Sequence, residues 1–310
     1  MEAEKATWFV IINPTSGNGS AKKKWPKIEE LLIRNGFSFE VAFTEYHNHS
    51  IELVQNAVKQ NITNIISIGG DGTLHNIING IMIQNAVATN DICVGVIPIG
   101  TGNDWVRTHQ IPNNIETAIQ IIKNGKVSQQ DIGKIEFENS NKEPVFFNNL
   151  AGVGFDGYVV SKVEKHKHIG ALAYLLGTLN SLFSFRKFKN FDSKVRVDSK
   201  EVSGKTLMIL IGLCKYSGGG MQLTKTPNPF DGFFDISIAK NLSKLDIIKN
   251  VTKLFNGKIV NHKKVESIKS NRLKIEIPQT EKPFIQADGE LIGTGNIDVT
   301  IIPKAFSFYS

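Results

Sequence analysis

The first third of the chain alternates strand-like apolar runs with segments whose apolar residues recur every three or four positions. WFVIIN (Trp8–Asn13), FEVAFTE (39–45), NIISIGG (64–70) and ICVGVIPI (92–99) are the runs. Between the first two, AKKKWPKIEELLIRNG places Trp25, Ile28 and Leu32 on one helical face and stops at Gly36. Leu53, Val54, Ala57 and Val58 form a second stripe behind a capping Ser50. Leu74, Ile77, Ile78 and Ile81 form a third, and NIETAIQIIKNG (114–125) carries a fourth. Apolar strands alternating with amphipathic helices predict a parallel sheet covered on both faces.

From about Asp131 the pattern changes. DIGKIEF, PVFFNNLAGVGF, SKVRVDS, KTLMILIGL, GFFDISI, RLKIEI, FIQADGE and NIDVTIIP are strand-like and separated by turn residues. SKVRVDS and RLKIEI alternate polar with apolar positions, as half-buried antiparallel strands do. Two helix candidates interrupt them: the stretch 169–185, and SKLDIIKNVTKLFNG with a Ser243/Asp246 capping box. The expected fold is an α/β parallel-sheet domain followed by a mostly antiparallel β domain, with the boundary near Gly125–Asp131. The chain shows neither an internal repeat nor a low-complexity linker.

Three strands of the first domain run straight into glycine-rich polar loops: NPTSGNG (Asn13–Gly19), GGDGT (Gly69–Thr73) and GTGND (Gly100–Asp104). In an open parallel sheet the carboxyl ends of the strands share one edge, where ligands bind. Small residues let a backbone approach phosphate, and N–H groups at a helix start point toward the anion. None of the loops is followed by GK[ST] and none matches GxGxxG, so an ordinary P-loop or dinucleotide site is excluded. GTGN recurs at Gly293–Asn296 between two strand-like segments, where it reads as a hairpin turn. Asp71 is the oddity: it puts a carboxylate in the middle of an anion cradle.

Composition narrows the chemistry only a little. The 310 residues carry a formal charge of +7, which favours anionic partners without choosing among nucleic acid, lipid and phosphate. The basic residues are scattered and no nucleic-acid recognition motif appears, so nucleic acid is not expected as a partner. Cys93 and Cys214 are the only cysteines, which argues against a disulfide scaffold or zinc site and fits a reducing cytoplasm. The stretch 169–185 is uncharged but interrupted by Asn180, Ser181 and Ser184, and falls short of the ~20 residues that cross a bilayer. A soluble protein is expected.

NPTSG, GGDGTLHNIINGI, IPIGTGNDWVR and QADGE, in that order, resemble the soluble diacylglycerol-kinase-like lipid kinases, a family that includes bacterial diacylglycerol kinases and the sphingosine and ceramide kinases. The resemblance spans essentially the whole chain. It implies a nucleotide-binding domain akin to those of NAD kinase and phosphofructokinase at 1–131 and 298–310, and a β-sandwich lipid-substrate domain at 132–297. It further implies ATP and Mg²⁺ as cofactors and a lipid substrate taken at the inner face of the membrane by a cytoplasmic, peripherally bound protein. It leaves a homodimer open. A soluble-substrate kinase of the NAD kinase type and a nucleotide-binding regulator without turnover are the rival readings.

The resemblance places nucleotide contacts on Asn13, Pro14, Thr15, Ser16, Gly17, Thr44, Gly69, Gly70, Asp71, Gly72, Thr73, Leu74, His75 and Thr101. Asp71 then becomes intelligible, since a carboxylate among phosphates is tolerable with a cation between them; a helix cap is its other reading. Asp104 would orient the active centre, and Asp131 stands at the domain junction. Glu290 would accept the proton of the lipid hydroxyl, with Asp71 as the rival base. TPNPFDGFFDI resembles a structural Mg²⁺ loop, with Asp231 supplying a carboxylate and Asn228 and Phe233 backbone carbonyls, although Phe230 stands where a second acid is usual. Asn76 and Trp105-Val106 are smaller departures. Lys165, Lys167, Arg186, Lys187 and Lys189 flank the apolar stretch 169–185, either as a lipid entrance or as the solvated ends of a buried helix.

Overall fold

The computed structural model describes residues 7–163 and 189–310. The expected helix at 169–185, with Lys165, Lys167, Arg186 and Lys187, lies outside the described residues. The chain divides into two compact units, Met1–Gln130 with Lys304–Ser310, and Asp131–Pro303.

The first unit alternates strand and helix: β1 (Thr7–Ile12), α1 (Ser16–Arg34), β2 (Ser38–Phe43), α2 (His49–Lys59), β3 (Asn64–Gly69), α3 (Asp71–Ile83), β4 (Cys93–Pro98), α4 (Asp104–Thr108) and α5 (Ile115–Asn124). β1 pairs in parallel with β2 on one side and β3 on the other, and β4 pairs in parallel with β3. Near the end of the chain, Ser307 and Phe308 add a parallel partner beside Cys93 and Val94. Three of the four apolar runs are buried as their composition requires, with Val10, Ile11, Ile12, Ile65, Ile66, Ile68, Val94 and Ile97 fully enclosed, whereas β2 is half-exposed, with Val41 and Phe43 on the surface. Trp25, Ile28 and Leu32 of α1 and Ile119 and Ile122 of α5 join Val10, Ile12, Ile66, Ile68 and Ile97 in one core cluster. Each such side chain contributes about 1.5–3 kcal/mol by leaving water. Asn114 caps α5 by accepting from the Thr117 amide, and Gly125 ends it in the left-handed region. Because β1 has β2 on one side and β3 on the other, the strand order reverses between β1 and β3, where open α/β sheets leave a crevice at the strand ends.

The second unit is built from antiparallel strands. β5 (Val127–Phe137) enters it, followed by β6 (Val145–Phe147), β7 (Leu150–Gly154), α6 (Phe155–Val163), β8 (Phe191–Val197), β9 (Lys200–Gly212), β10 (Phe234–Lys240), α7 (Lys244–Phe255), β11 (Val265–Ser270), β12 (Arg272–Glu276), β13 (Ile285–Ala287), β14 (Glu290–Gly293) and β15 (Ile297–Tyr309). β9 is the hub, pairing antiparallel with β7, β8 and β10. Phe147 stacks on Phe234 with ring centroids 5.7 Å apart, inside a cluster that also encloses Val195, Ile209, Ile211, Ile236, Ile275 and Ile297. The Ser243/Asp246 capping box at the start of α7 forms as its spacing predicts.

The details depart from the sequence pattern in places. PVFFNNLAGVGF is not one strand: it breaks between β6 and β7 at Asn148 and Asn149, whose amides bond the Asp288 carboxylate. Helix α6 and strand β11 were not expected. GTGN at 293–296 is not a hairpin turn, because β14 pairs with β13 whereas β15 pairs with β12.

Candidate active site

The three glycine-rich loops of the first unit meet. Each leaves the carboxyl end of its strand, and the parallel register puts Ile12 beside Ile68 and Gly69 beside Pro98. The Asn13 amide donates to the Ile68 carbonyl at 3.0 Å, and its side-chain Nδ2 donates to Thr73 Oγ1 at 3.3 Å. Asn13 Oδ1 accepts from both the backbone and the hydroxyl of Thr15, at 3.1 and 2.8 Å. Asn13 therefore ties the first loop to the second across the sheet's switch point.

Glycine is needed where the loops touch. A Cβ on Gly100 would lie 2.7 Å from the Gly70 Cα, so the second and third loops approach backbone to backbone. Gly17 has φ +59 and faces the Ile99 carbonyl, a left-handed turn that brings the first loop against the third. The Ile99 amide donates to the Gly69 carbonyl at 2.8 Å and closes the set.

Asp71 links the second loop to the third. Its Oδ2 accepts from the Asp104 amide and its Oδ1 from the Trp105 amide, both at 3.1 Å. The capping role is thus real, but it serves α4 rather than Asp71's own helix. A carboxylate at a helix start is favourable because the N–H groups there carry partial positive charge. α4 is anchored from below: Trp105 is fully buried, donates Nε1–H to Gln130 Oε1 at 2.8 Å, and packs on Phe308 and His109. Burial in this cluster pushes His109 down to about 4, so it is neutral at physiological pH and acts as packing. Trp105, a departure from the resembling sequences, has a core role.

The remaining expected contacts fall in two groups. Pro14, Ser16, Gly17, Thr44, Gly70, Asp71 and Gly72 are partly exposed, and Thr15 and Thr101 are exposed. The Thr44 amide donates to the Ile12 carbonyl at 2.8 Å, which places it at the same strand edge. Thr73, Leu74 and His75 are buried: Thr73 Oγ1 is the acceptor of the Asn13 side chain, and the Thr73 and Leu74 amides donate to the Gly70 carbonyl at 3.0 and 3.2 Å. The N-cap of α3 is Gly70, which has no side chain to cap the helix. Asp104 is 4% exposed.

Glu290 belongs to the second unit, at the start of β14. Asp288 and Gly289, both at positive φ, form the two-residue turn from β13. Asp288 clamps the turn by accepting from the amides of Asn148, Asn149 and Leu150 at 2.9, 2.9 and 3.0 Å. Gln286 Oε1 accepts from the Gly289 amide at 2.7 Å, and its Nε2 donates to Asp156 Oδ2. Burial pushes the Asp156 carboxyl up to about 6, with the Gln286 bond pulling the other way. The Asp288 clamp and Asp156 were missed from the sequence; FDG at the end of an apolar run was the only trace of Asp156.

The expected metal donors also lie in the second unit. Asn228 Oδ1 accepts from the Phe230 amide at 3.1 Å, and Asp231 takes the Phe233 amide on Oδ1 at 3.1 Å and the Lys269 ammonium on Oδ2 at 2.6 Å. Asp131 Oδ2 accepts from the Gly232 amide at 2.7 Å.

The architecture is that of an α/β unit followed by an antiparallel β unit, and solved structures share it. Two chains from Bacillus anthracis, one described as a diacylglycerol kinase, align with TM-scores of 0.78 and 0.72 at 22% identity, covering 99% of this chain and 98% of each of theirs. The diacylglycerol kinase catalytic domain profile matches residues 7–135, and that of the YegS C-terminal NAD kinase beta sandwich-like domain matches 149–310. The diacylglycerol kinase of Staphylococcus saprophyticus is 30% identical over 285 residues, covering 92% of this chain and 88% of that one. The diacylglycerol kinase of Bacillus subtilis is 29% identical over 291 residues, with 92% and 89% covered. The chain belongs to the diacylglycerol kinase family and is a lipid kinase.

Proposed function

We propose that the chain transfers the γ-phosphoryl group of ATP to the hydroxyl of diacylglycerol, giving phosphatidic acid. The observation that carries the nucleotide half is the convergence of three glycine-rich loops at the switch point, tied through Asn13–Thr73 and Asp71–α4. The choice of diacylglycerol rests on the activity named for the relatives.

In this reading Asn13 to Gly17, Gly69 to His75, Thr44 and Thr101 hold the nucleotide, and the first turn of α3 offers N–H groups to its phosphates. Asp71 and Asp104 are carboxylates of the kind that suit a hard cation arriving with the triphosphate. Mg²⁺ bound there would neutralise phosphate charge. Glu290 takes the proton of the attacking hydroxyl, held by the turn that Asp288 clamps. The first unit is the nucleotide domain and the β unit carries the lipid-substrate site. No helix among the described residues is long and apolar enough to cross a membrane, which accords with a peripheral protein that meets its lipid at the cytoplasmic face.

The test is transfer of labelled phosphate from ATP to a panel holding diacylglycerol, other lipid alcohols and NAD. Label in phosphatidic acid is expected; label in NAD alone, or none with ATP bound, overturns the proposal. Replacing Glu290 by Gln should abolish transfer and spare ATP binding. Near-normal turnover would remove Glu290 as the base.

A further inference from the structure

The loop from Thr226 to Phe234 is where the resemblance implies a structural divalent cation, and its geometry does not fit one. Mg²⁺ demands octahedral oxygen ligands at short range. Both Asp231 oxygens are engaged, one by the Phe233 amide and one by Lys269 Nζ. Next to Asn228, whose backbone carbonyl was an expected donor, the Pro229 carbonyl accepts from the Asp131 amide at 2.9 Å. Among the described residues, no cluster of three or more His, Cys, Asp or Glu side chains is arranged to hold a metal.

A cation is nevertheless there. Lys269 on β11 stands directly across from Asp235 on β10, so its stem starts beside one acid and its head reaches the other. Asp235 is 4% exposed; its Oδ1 accepts from the Thr226 amide at 3.2 Å, and its buried Oδ2 has no hydrogen-bond partner. The ammonium also lies 5.9 Å from the Phe233 ring centroid. Phe230, 47% exposed, supplies no charge where a second acid would have strengthened a metal site.

We infer that the Lys269 ammonium takes the structural place of the divalent cation, pinning the Asp231 loop beside Asp235 and making this loop metal-independent. The inference does not rest on the kinase reading, and its test uses no nucleotide or lipid. Thermal unfolding of the full chain is measured in EDTA and in millimolar Mg²⁺. The native chain should have one Tm in both. Lys269→Met should unfold at lower temperature in EDTA. The double variant Phe230→Asp/Lys269→Met, which restores an acid and removes the ammonium, should gain a Tm rise with Mg²⁺ that Asp231→Asn abolishes. A native Tm that rises with Mg²⁺ and loses that rise in Asp231→Asn overturns the inference, as does a double variant blind to Mg²⁺. Because the native and Asp231→Asn measurements need neither lysine variant, a failure of those variants to fold leaves the inference open to refutation.

Discussion

Asp71 in the first unit and Asp231 in the second both stand beside a glycine in a tight loop, and both accept backbone N–H bonds. Asp71 gives its two oxygens to the Asp104 and Trp105 amides. Asp231 gives one to the Phe233 amide and the other to Lys269. Amides at a helix start bring only fractional positive charge, and in the proposed function the nucleotide's cation supplies the rest at Asp71. An ammonium brings a full charge and completes the Asp231 loop. Similar local sequences thus yield one acid bonded to the start of a helix, the proposed place of a visiting charge, and one bonded to a resident ammonium. What separates them is a side chain supplied from a distant strand.

Asp71→Ala tests the first half of that contrast with the largest expected effect. It leaves two amides of α4 without this acceptor, a loss of about 1–3 kcal/mol, and removes the carboxylate that would face the nucleotide's cation. Phosphoryl transfer should fall below detection while the fold survives, as read by lipid labelling and a denaturant midpoint. Asp71→Asn keeps one acceptor oxygen and should recover some of the stability without the activity. If Asn restores turnover, the charge is irrelevant and the contrast with Asp231 fails.

Gly100→Ala should act next in size. The added Cβ meets the Asn103 side-chain oxygen and the Gly70 Cα, the latter at 2.7 Å; Asn103 can rotate away, but the Gly70 backbone cannot. Overpacking of this kind costs about 1–3 kcal/mol, and here it would push apart the second and third loops, which the proposed site needs together. Nucleotide affinity, measured by calorimetry, should drop more than global stability does. An equal drop in both would mean that the contact is only structural.

Strands β1, β3 and β4 were legible because they are apolar runs with glycine-rich exits, and their burial follows from that pattern, whereas β2 was legible as an apolar run but lies half-exposed. β11, VESIKS, was hidden because its two apolar residues, Val265 and Ile268, stand three apart and so break the alternation of a half-buried strand. α6 was hidden because FDGYVVSKV continues an apolar run and carries a glycine. The motif residues of the candidate site were visible one loop at a time. Their ties were not: Asp71 reaches 33 residues ahead to Asp104, and Asp288 reaches 140 residues back to Asn148. Such pairings are fixed by strand order, which a linear pattern of apolar positions does not encode. The Lys269–Asp231 pair was lost for the same reason, since it depends on β10 and β11 being neighbours.

Asp156 supplies a third carboxylate that sharpens the comparison, because its bond to Gln286 comes from a neutral amide. Burial lifts its carboxyl from the ordinary 3.8 to about 6, so the folded chain holds this proton more tightly than the unfolded chain does. Its contribution is therefore most favourable below 3.8 and is lost as pH rises through about 6. Asp156→Asn removes the titration. The variant's stability relative to the native chain should climb across that window and level off above it, as read from denaturant midpoints at a series of pH values. A difference that stays flat with pH would mean that Asp156 is solvated like an ordinary surface acid. Because Gln286 also holds the Gly289 amide beside Glu290, the same variant should shift the pH profile of turnover only slightly, since Asn retains an acceptor for Gln286.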